Sequence, residues 1–333
     1  MLKRITAVIL ASLTALGLCS CSLTYHDMVE EKREVPVPPK LVFLGDSIAA
    51  GYGLEGYRRD DNTKCDSYAN MLGEDYTELL KDECGHTMIN RAVSGDTSQD
   101  LLDHLNSGEL DEALAGSDAV VISIGGNDVL HIIFSAADKL GWDDETGDFD
   151  FSRVDIKEAI TALTSMGSEI DEALDGYDTN IQTIADEVAK RTDGEIYVQT
   201  LYNPVEYFED WKMLVDYADG KIDRFNEIVK SHADDADGTH HYTVVDVGDQ
   251  FDGRNSQLTN MSDYDIHPNA DGHKVIAETV DRELRKHTYS YTVMVEGDEH
   301  LTTEGIILIA GSLTAVLLLI VCLIAVLVKK KKA

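Results

Sequence analysis

The chain has 333 residues, 27% of them charged and 43% hydrophobic, with 25 Gly and 5 Pro. That mixture excludes a disordered, collagen-like or disulfide-scaffold protein and leaves room for one large domain or two small ones. The formal charge is −34, from 28 Lys and Arg against 62 Asp and Glu. Six of the bases, Lys3, Arg4 and Lys329–Lys332, stand at the extreme ends where there is no acid; the stretch between holds 22 bases and 62 acids, a charge of −40. A phosphate-binding groove needs clustered Lys and Arg, so nucleic acid is not expected as a partner, and strongly anionic substrates would be repelled on approach.

Residues 1–21 read as an export signal: Lys3 and Arg4 precede the apolar run Ile5–Leu18, which is too short to span a bilayer comfortably. The run Leu18-Cys19-Ser20-Cys21 resembles a bacterial lipobox, which leaves lipidation at Cys21 and ordinary cleavage among small residues both open. In residues 22–39, the charged run Glu30–Glu34 is followed by Pro36, Pro38 and Pro39, a pattern that predicts an extended stalk.

From residue 40 to 287 the chain reads as one domain. Five short apolar runs are bounded by turn residues: Leu41–Leu44, Thr87–Ala92, Ala119–Ile124, Ile196–Leu201 and Tyr242–Val247. Their apolar residues are consecutive rather than alternating, as in strands covered on both faces. Between them lie helical patterns. Tyr68, Leu72, Leu79 and Leu80 mark a helix over 67–81, which would hold Cys65 and Cys84 too far apart for a disulfide. Ile156, Ile160, Leu163, Met166, Ile170 and Leu174 mark a second, and Ile181, Ile184 and Val188 the next. Ala218–Val229 and Val275–Leu284 repeat the pattern. Strand–helix alternation with connections this long predicts an α/β fold, a three-layer α/β/α sandwich around a parallel sheet. The acid-rich connection 131–193 is expected to form a helical cap.

In such a sheet the functional loops gather at the carboxyl ends of the strands. After the first strand stands Gly45-Asp46-Ser47, continuing to Gly51-Tyr52-Gly53; after the second, Ser94-Gly95-Asp96; after the third, Gly125-Gly126-Asn127-Asp128. Beyond the fifth comes Asp263-Tyr264-Asp265-Ile266-His267-Pro268. Each is weak alone, since glycines after strands are usually turn residues. Together they supply a hydroxyl nucleophile, an imidazole base and two kinds of oxyanion donor.

These four blocks resemble those of the SGNH/GDSL hydrolases over about residues 40–287, and Leu201-Tyr202-Asn203-Pro204 looks like a recurrent feature of bacterial members. The resemblance implies a five-stranded parallel sheet in flavodoxin-like order and esterase, lipase or acylhydrolase activity with neither metal nor organic cofactor. It also implies roles: Ser47 as nucleophile, His267 as its base, and the N–H groups of Ser47 and Gly95 with the Asn127 amide as the oxyanion hole. Asp46 and Asp128 are expected to brace these loops. The usual orienting Asp stands three before the His, where this chain has Tyr264. Asp265 is the preferred replacement; Asp263 and a Ser–His dyad held by a backbone carbonyl remain open. His232, His240 and His241 read as a solvated loop rather than metal ligands.

After a juxtamembrane stretch, 288–304, the run Gly305–Val328 is uncharged. As a helix it reaches about 36 Å, enough for a hydrocarbon core of about 30 Å. Lys329–Lys332 follow, which places a basic tail, 329–333, in the cytoplasm and the middle of the chain outside it. No LPxTG-type motif accompanies the run, so it reads as a retained anchor. The expected protein is an exported, membrane-anchored esterase acting on acyl esters, with surface glycan O-acetyl groups or lipid esters as substrates. The competing class is a catalytically silent binding or adhesion module of the same fold.

Overall fold

Alternate residues of a β-strand face opposite sides, and here both sides are apolar. Leu41 and Phe43 of strand β1 (Lys40–Gly45) point into one core layer, Val42 and Leu44 into the other. Ala119 and Val121 of strand β3 (Ala119–Ser123) divide from Val120 and Ile122 in the same way. With β2 (Thr87–Asn90), β4 (Glu195–Gln199) and β5 (Thr243–Val245) they form a five-stranded sheet in the order β2-β1-β3-β4-β5, every pair parallel. This is the flavodoxin-like order, with its switch point beside β1. The computed structural model describes residues 23–134, 142–143, 148–149, 156–208, 212–263 and 265–331. The export-signal and lipobox residues lie outside that set.

Helices cover both faces. Helix α1 (Ser47–Ala50) turns away from β1, and α2 (Tyr68–Leu80) buries Tyr68, Leu72, Tyr76 and Leu80 on one side of the sheet with Ile276, Val280 and Leu284 of α7 (Ala270–Leu284). On the other side lie α3 (Ser98–Ser107), α4 (Gly126–Phe134), α5 (Ile156–Ala189) and α6 (Lys212–Ser231). Ser67 caps α2, and both Cys65 and Cys84, at either side of that helix, are free.

Two expectations are corrected. The helices read at 156–174 and 181–188 are one continuous helix, α5. Gly176 inside it costs about 1 kcal/mol, but Ile170, Leu174, Tyr177, Ile181, Ile184 and Val188 continue one buried stripe through it. For the same reason α5 is a layer of the sandwich, not a cap. Beyond the end of α4 and α5, the 131–193 connection shows the short antiparallel strand pair Trp142–Asp143 with Asp148–Phe149 among the described residues.

The chain divides into two compact units, 34–291 and a second made of both ends. The stalk read at 22–39 is extended, but as a strand, Thr24–Val35, paired with Tyr289–Leu301. The signal lay in the second segment, where Tyr289, Tyr291, Val293 and Val295 alternate along the chain. A helix α8 (Thr303–Lys331) follows; among the described residues it is the one helix long and apolar enough to cross a membrane.

Candidate active site

Strand β1 ends at Gly45, whose φ is +138°; a Cβ there would stand 1.9 Å from the Ser123 carbonyl of β3. Only glycine lets the chain turn so close to the neighbouring strand. Asp46 then caps α1 by accepting the Ile48 N–H at 3.1 Å, which leaves Ser47 as the first helical residue. N–H groups at a helix start have no helical acceptor, so that of Ser47 is free for another.

Ser47 Oγ lies 2.9 Å from His267 Nε2, across 220 positions of sequence. His267 is on the short strand Asp265–Pro268, which pairs with Thr259–Asn260 and leads into α7. Asp265 Oδ1 is 2.5 Å from His267 Nδ1 and accepts the His267 backbone N–H at 3.1 Å. Burial pulls the Asp265 carboxyl upward, but its bonds and charge contact with His267 outweigh that and hold it below the usual carboxylate range. Asp263 ends the turn Met261–Asp263 and is exposed. Of the open alternatives, the geometry therefore joins Asp265 to the ring.

Tyr52, Gly53 and Tyr202, to which sequence reading gave no role of their own, pack around His267 and its flanking residues. Tyr52 packs on the imidazole, ring centroids 4.6 Å apart, with Tyr57 edge-on behind Tyr52. Tyr202, in the Leu-Tyr-Asn-Pro stretch, donates its hydroxyl to the Ile266 carbonyl at 2.8 Å. Gly53 has φ +85°, and a Cβ on it would press to 3.1 Å from Asp265 Oδ2.

Gly95 has φ +98°, a backbone state that favours glycine, and a Cβ there would meet no protein atom within 4 Å; it would point into open space instead. Asn127 is buried at the start of α4 and donates one amide hydrogen to the Asp96 carbonyl at 2.9 Å. The amide has two hydrogens, so one remains. Asp128 accepts from both the backbone N–H (2.8 Å) and the hydroxyl (2.5 Å) of Ser98, tying α4 to the first residue of α3. Burial raises the Asp128 carboxyl, with the Ser98 bonds opposing. Asp46, enclosed beside Ser47, is pushed up to about 7 by burial against the opposing bond from Ile48.

His232, His240 and His241 each contact an aspartate, Asp178, Asp234 and Asp235, at 2.5, 2.7 and 3.0 Å. Among the described residues no group of three or more His, Cys, Asp or Glu is placed to hold a metal ion.

Comparison with known proteins bears on family and fold. The chain is 22% identical over 288 residues to the uncharacterized protein YpmR of Bacillus subtilis (strain 168), covering 85% of this chain and 96% of that one. The fold is shared with phospholipase A1 from Streptomyces albidoflavus NA297 (17% identity, TM-score 0.54, 74% of this chain and 99% of that one). It is also shared with a catalytic mutant of Axe2, an acetylxylan esterase from Geobacillus stearothermophilus (18% identity, TM-score 0.50, 76% of this chain and 96% of that one). Residues 43–275, the greater part of the chain, match the family model of the GDSL-like lipases and acylhydrolases, a range that contains all four motif blocks, so the protein belongs to that family of ester-cleaving enzymes.

Proposed function

We propose that this protein is a serine esterase that cleaves acyl esters through an acyl-enzyme, with Ser47 as nucleophile, His267 as general base and Asp265 as the orienter of His267. The observation that carries the reading is the chain of two short contacts, Ser47 Oγ to His267 Nε2 at 2.9 Å and His267 Nδ1 to Asp265 Oδ1 at 2.5 Å. A serine hydroxyl attacks poorly until a base takes its proton, and a carboxylate on Nδ1 fixes the tautomer that leaves Nε2 free to do so.

Attack on the ester carbonyl places negative charge on its oxygen. The N–H groups of Ser47 and Gly95 and the second amide hydrogen of Asn127 receive that charge. His267 then gives its proton to the departing alcohol. It next activates a water that releases the acid from Ser47 by the same steps in reverse.

The apolar run Gly305–Val328 of α8 and the lysines that follow that run support a single membrane crossing, with the hydrolase unit outside the cytoplasm, and the basic-apolar pattern of residues 1–21 supports export. Surface glycan O-acetyl groups or lipid esters then become the accessible substrates. The test assays the full chain in detergent on 4-nitrophenyl esters of increasing acyl length, beside Ser47→Ala. Turnover lost in the variant, together with an acyl group trapped on Ser47 by mass spectrometry, supports the reading. Turnover that survives removes the nucleophile, and no turnover on any ester favours a binding module.

A further inference from the structure

We propose that His104 is a positioning residue for the oxyanion side of the site: its doubly protonated ring clamps Asp96 to Glu109 and thereby fixes the backbone beside Gly95 and Asn127. The inference rests on the reading of Gly95 and Asn127 as oxyanion donors.

His104 lies in the last turn of α3. Its Nδ1 is 2.9 Å from Glu109 Oε2, and its Nε2 is 3.2 Å from Asp96 Oδ2. A neutral imidazole has one N–H and would turn a bare lone pair to one of these carboxylates; only the imidazolium presents an N–H to each. Asp96 in turn touches both donors. It follows Gly95 in the chain, and its carbonyl accepts the Asn127 amide hydrogen at 2.9 Å. The Asp96 side chain is 14% exposed, against 66% for that of Glu109, so the ring joins a sheltered group to an outer strut.

The remainder of the loop is held without His104. Thr97 and Asp100 form a reciprocal cap on α3, and Ser98 is bound by Asp128 and by Asn180, whose amide donates to the Ser98 hydroxyl at 2.9 Å. Opening the clamp therefore frees Gly95 and Asp96 without unravelling the helix.

The charged groups around the clamp are few. Asp96 and Glu109 face the ring, while Asp100 and Arg59 act on Asp96. Burial disfavours the charged ring, but the hydrogen bond it donates to Glu109 and the two carboxylate charges outweigh it and raise His104 above the usual imidazole range. Burial also raises Asp96, with the charge of His104 opposing. As pH climbs past the His104 range the ring gives up one N–H, one contact is lost, and the donors lose their fixed geometry.

The experiment uses the full chain in detergent as wild type, His104→Gln and His104→Arg, assayed on 4-nitrophenyl acetate across neutral and mildly alkaline pH. Arginine keeps the charge and can bridge two carboxylates; glutamine cannot. His104→Gln is expected to lower kcat roughly three- to tenfold at neutral pH with KM little changed. His104→Arg should keep neutral-pH activity and lose the alkaline decline in kcat that wild type shows. Nitrogen NMR of the wild-type ring should find both His104 nitrogens protonated at neutral pH. A neutral tautomer there, a His104→Gln profile that superimposes on wild type, or a His104→Arg variant as weak as His104→Gln overturns the proposal. Ser47-dependent turnover that ignores His104 fails this inference alone; turnover that survives Ser47→Ala fails the underlying reading, and this one with it.

Discussion

Asp265 Oδ1 accepts twice from His267, once from the backbone N–H at 3.1 Å and once from ring Nδ1 at 2.5 Å. Both residues lie on the strand Asp265–Pro268, where side chains two apart share a face, so a spacing of two presents the carboxylate to the ring. Gly53 and Asn260 complete the seat: the first leaves room for Oδ2, and the second offers it an amide hydrogen at 3.5 Å.

Asp265→Asn is expected to lower kcat roughly 10²- to 10⁴-fold, because the amide cannot hold the productive His267 tautomer. Asp263→Asn, on an exposed turn, should stay near wild type. Steady-state kinetics of the two variants side by side checks the pair, and equal losses would remove the assignment of Asp265.

Asn127→Ala removes the proposed side-chain donor to the carbonyl oxygen, which matters most once that oxygen becomes anionic. The loss should fall on kcat, roughly 10²- to 10³-fold, with KM nearly unchanged. A change confined to KM would mean that Asn127 binds the ground state instead.

Two buried groups behind the site push the pH dependence of stability in opposite directions. Burial raises Asp46 to about 7, so between about pH 4 and 7 the native state keeps a proton that the unfolded chain releases, and stability falls as pH rises. His273 is enclosed, accepts the Tyr68 N–H at 3.3 Å, and is lowered by burial to about 3. Below about pH 6.5 the unfolded chain takes up a proton that native His273 refuses, so stability falls as pH drops towards 3. Each contribution is on the order of 4 kcal/mol over its full range, and between about pH 4 and 6.5 they nearly cancel. Relative to wild type, Asp46→Asn should lose stability on acidification and His273→Asn should gain it, read as the slope of the unfolding free energy against pH. Parallel slopes for all three proteins would show that neither group titrates as described.

Ending the chain after residue 302 removes α8. The truncated protein should appear in the soluble fraction with its esterase activity intact, while the full chain stays with membranes after an alkaline wash. Full-length protein released by that wash would place α8 against protein rather than lipid.

The sheet was legible because its strands are buried on both faces and so appear as unbroken apolar runs, from Leu41 to Val247. Ser47, Gly95 and Asn127 were legible because each follows the end of a sheet strand, where chain order puts them at one edge, and His267 because its block leads into α7. Tyr52 and His104 were not, since nothing in their neighbours in sequence reveals a ring packed on His267 or a charge held between Asp96 and Glu109. The choice between Asp263 and Asp265 turned on where the turn Met261–Asp263 ends and the strand Asp265–Pro268 begins, and the unity of α5 on a buried stripe that passes through Gly176. Both depend on packing that no short window of sequence contains.

The strand pair formed by Thr24–Val35 and Tyr289–Leu301 brings the two borders of the hydrolase unit together. Val35 and Tyr289, at those borders, are buried in the same core layer. Chain therefore enters and leaves the unit by one doorway, and a polypeptide with neighbouring ends can be transplanted whole. Spliced into a surface loop of an unrelated carrier, it would travel as a cassette, with Ser47 and His267 still facing each other.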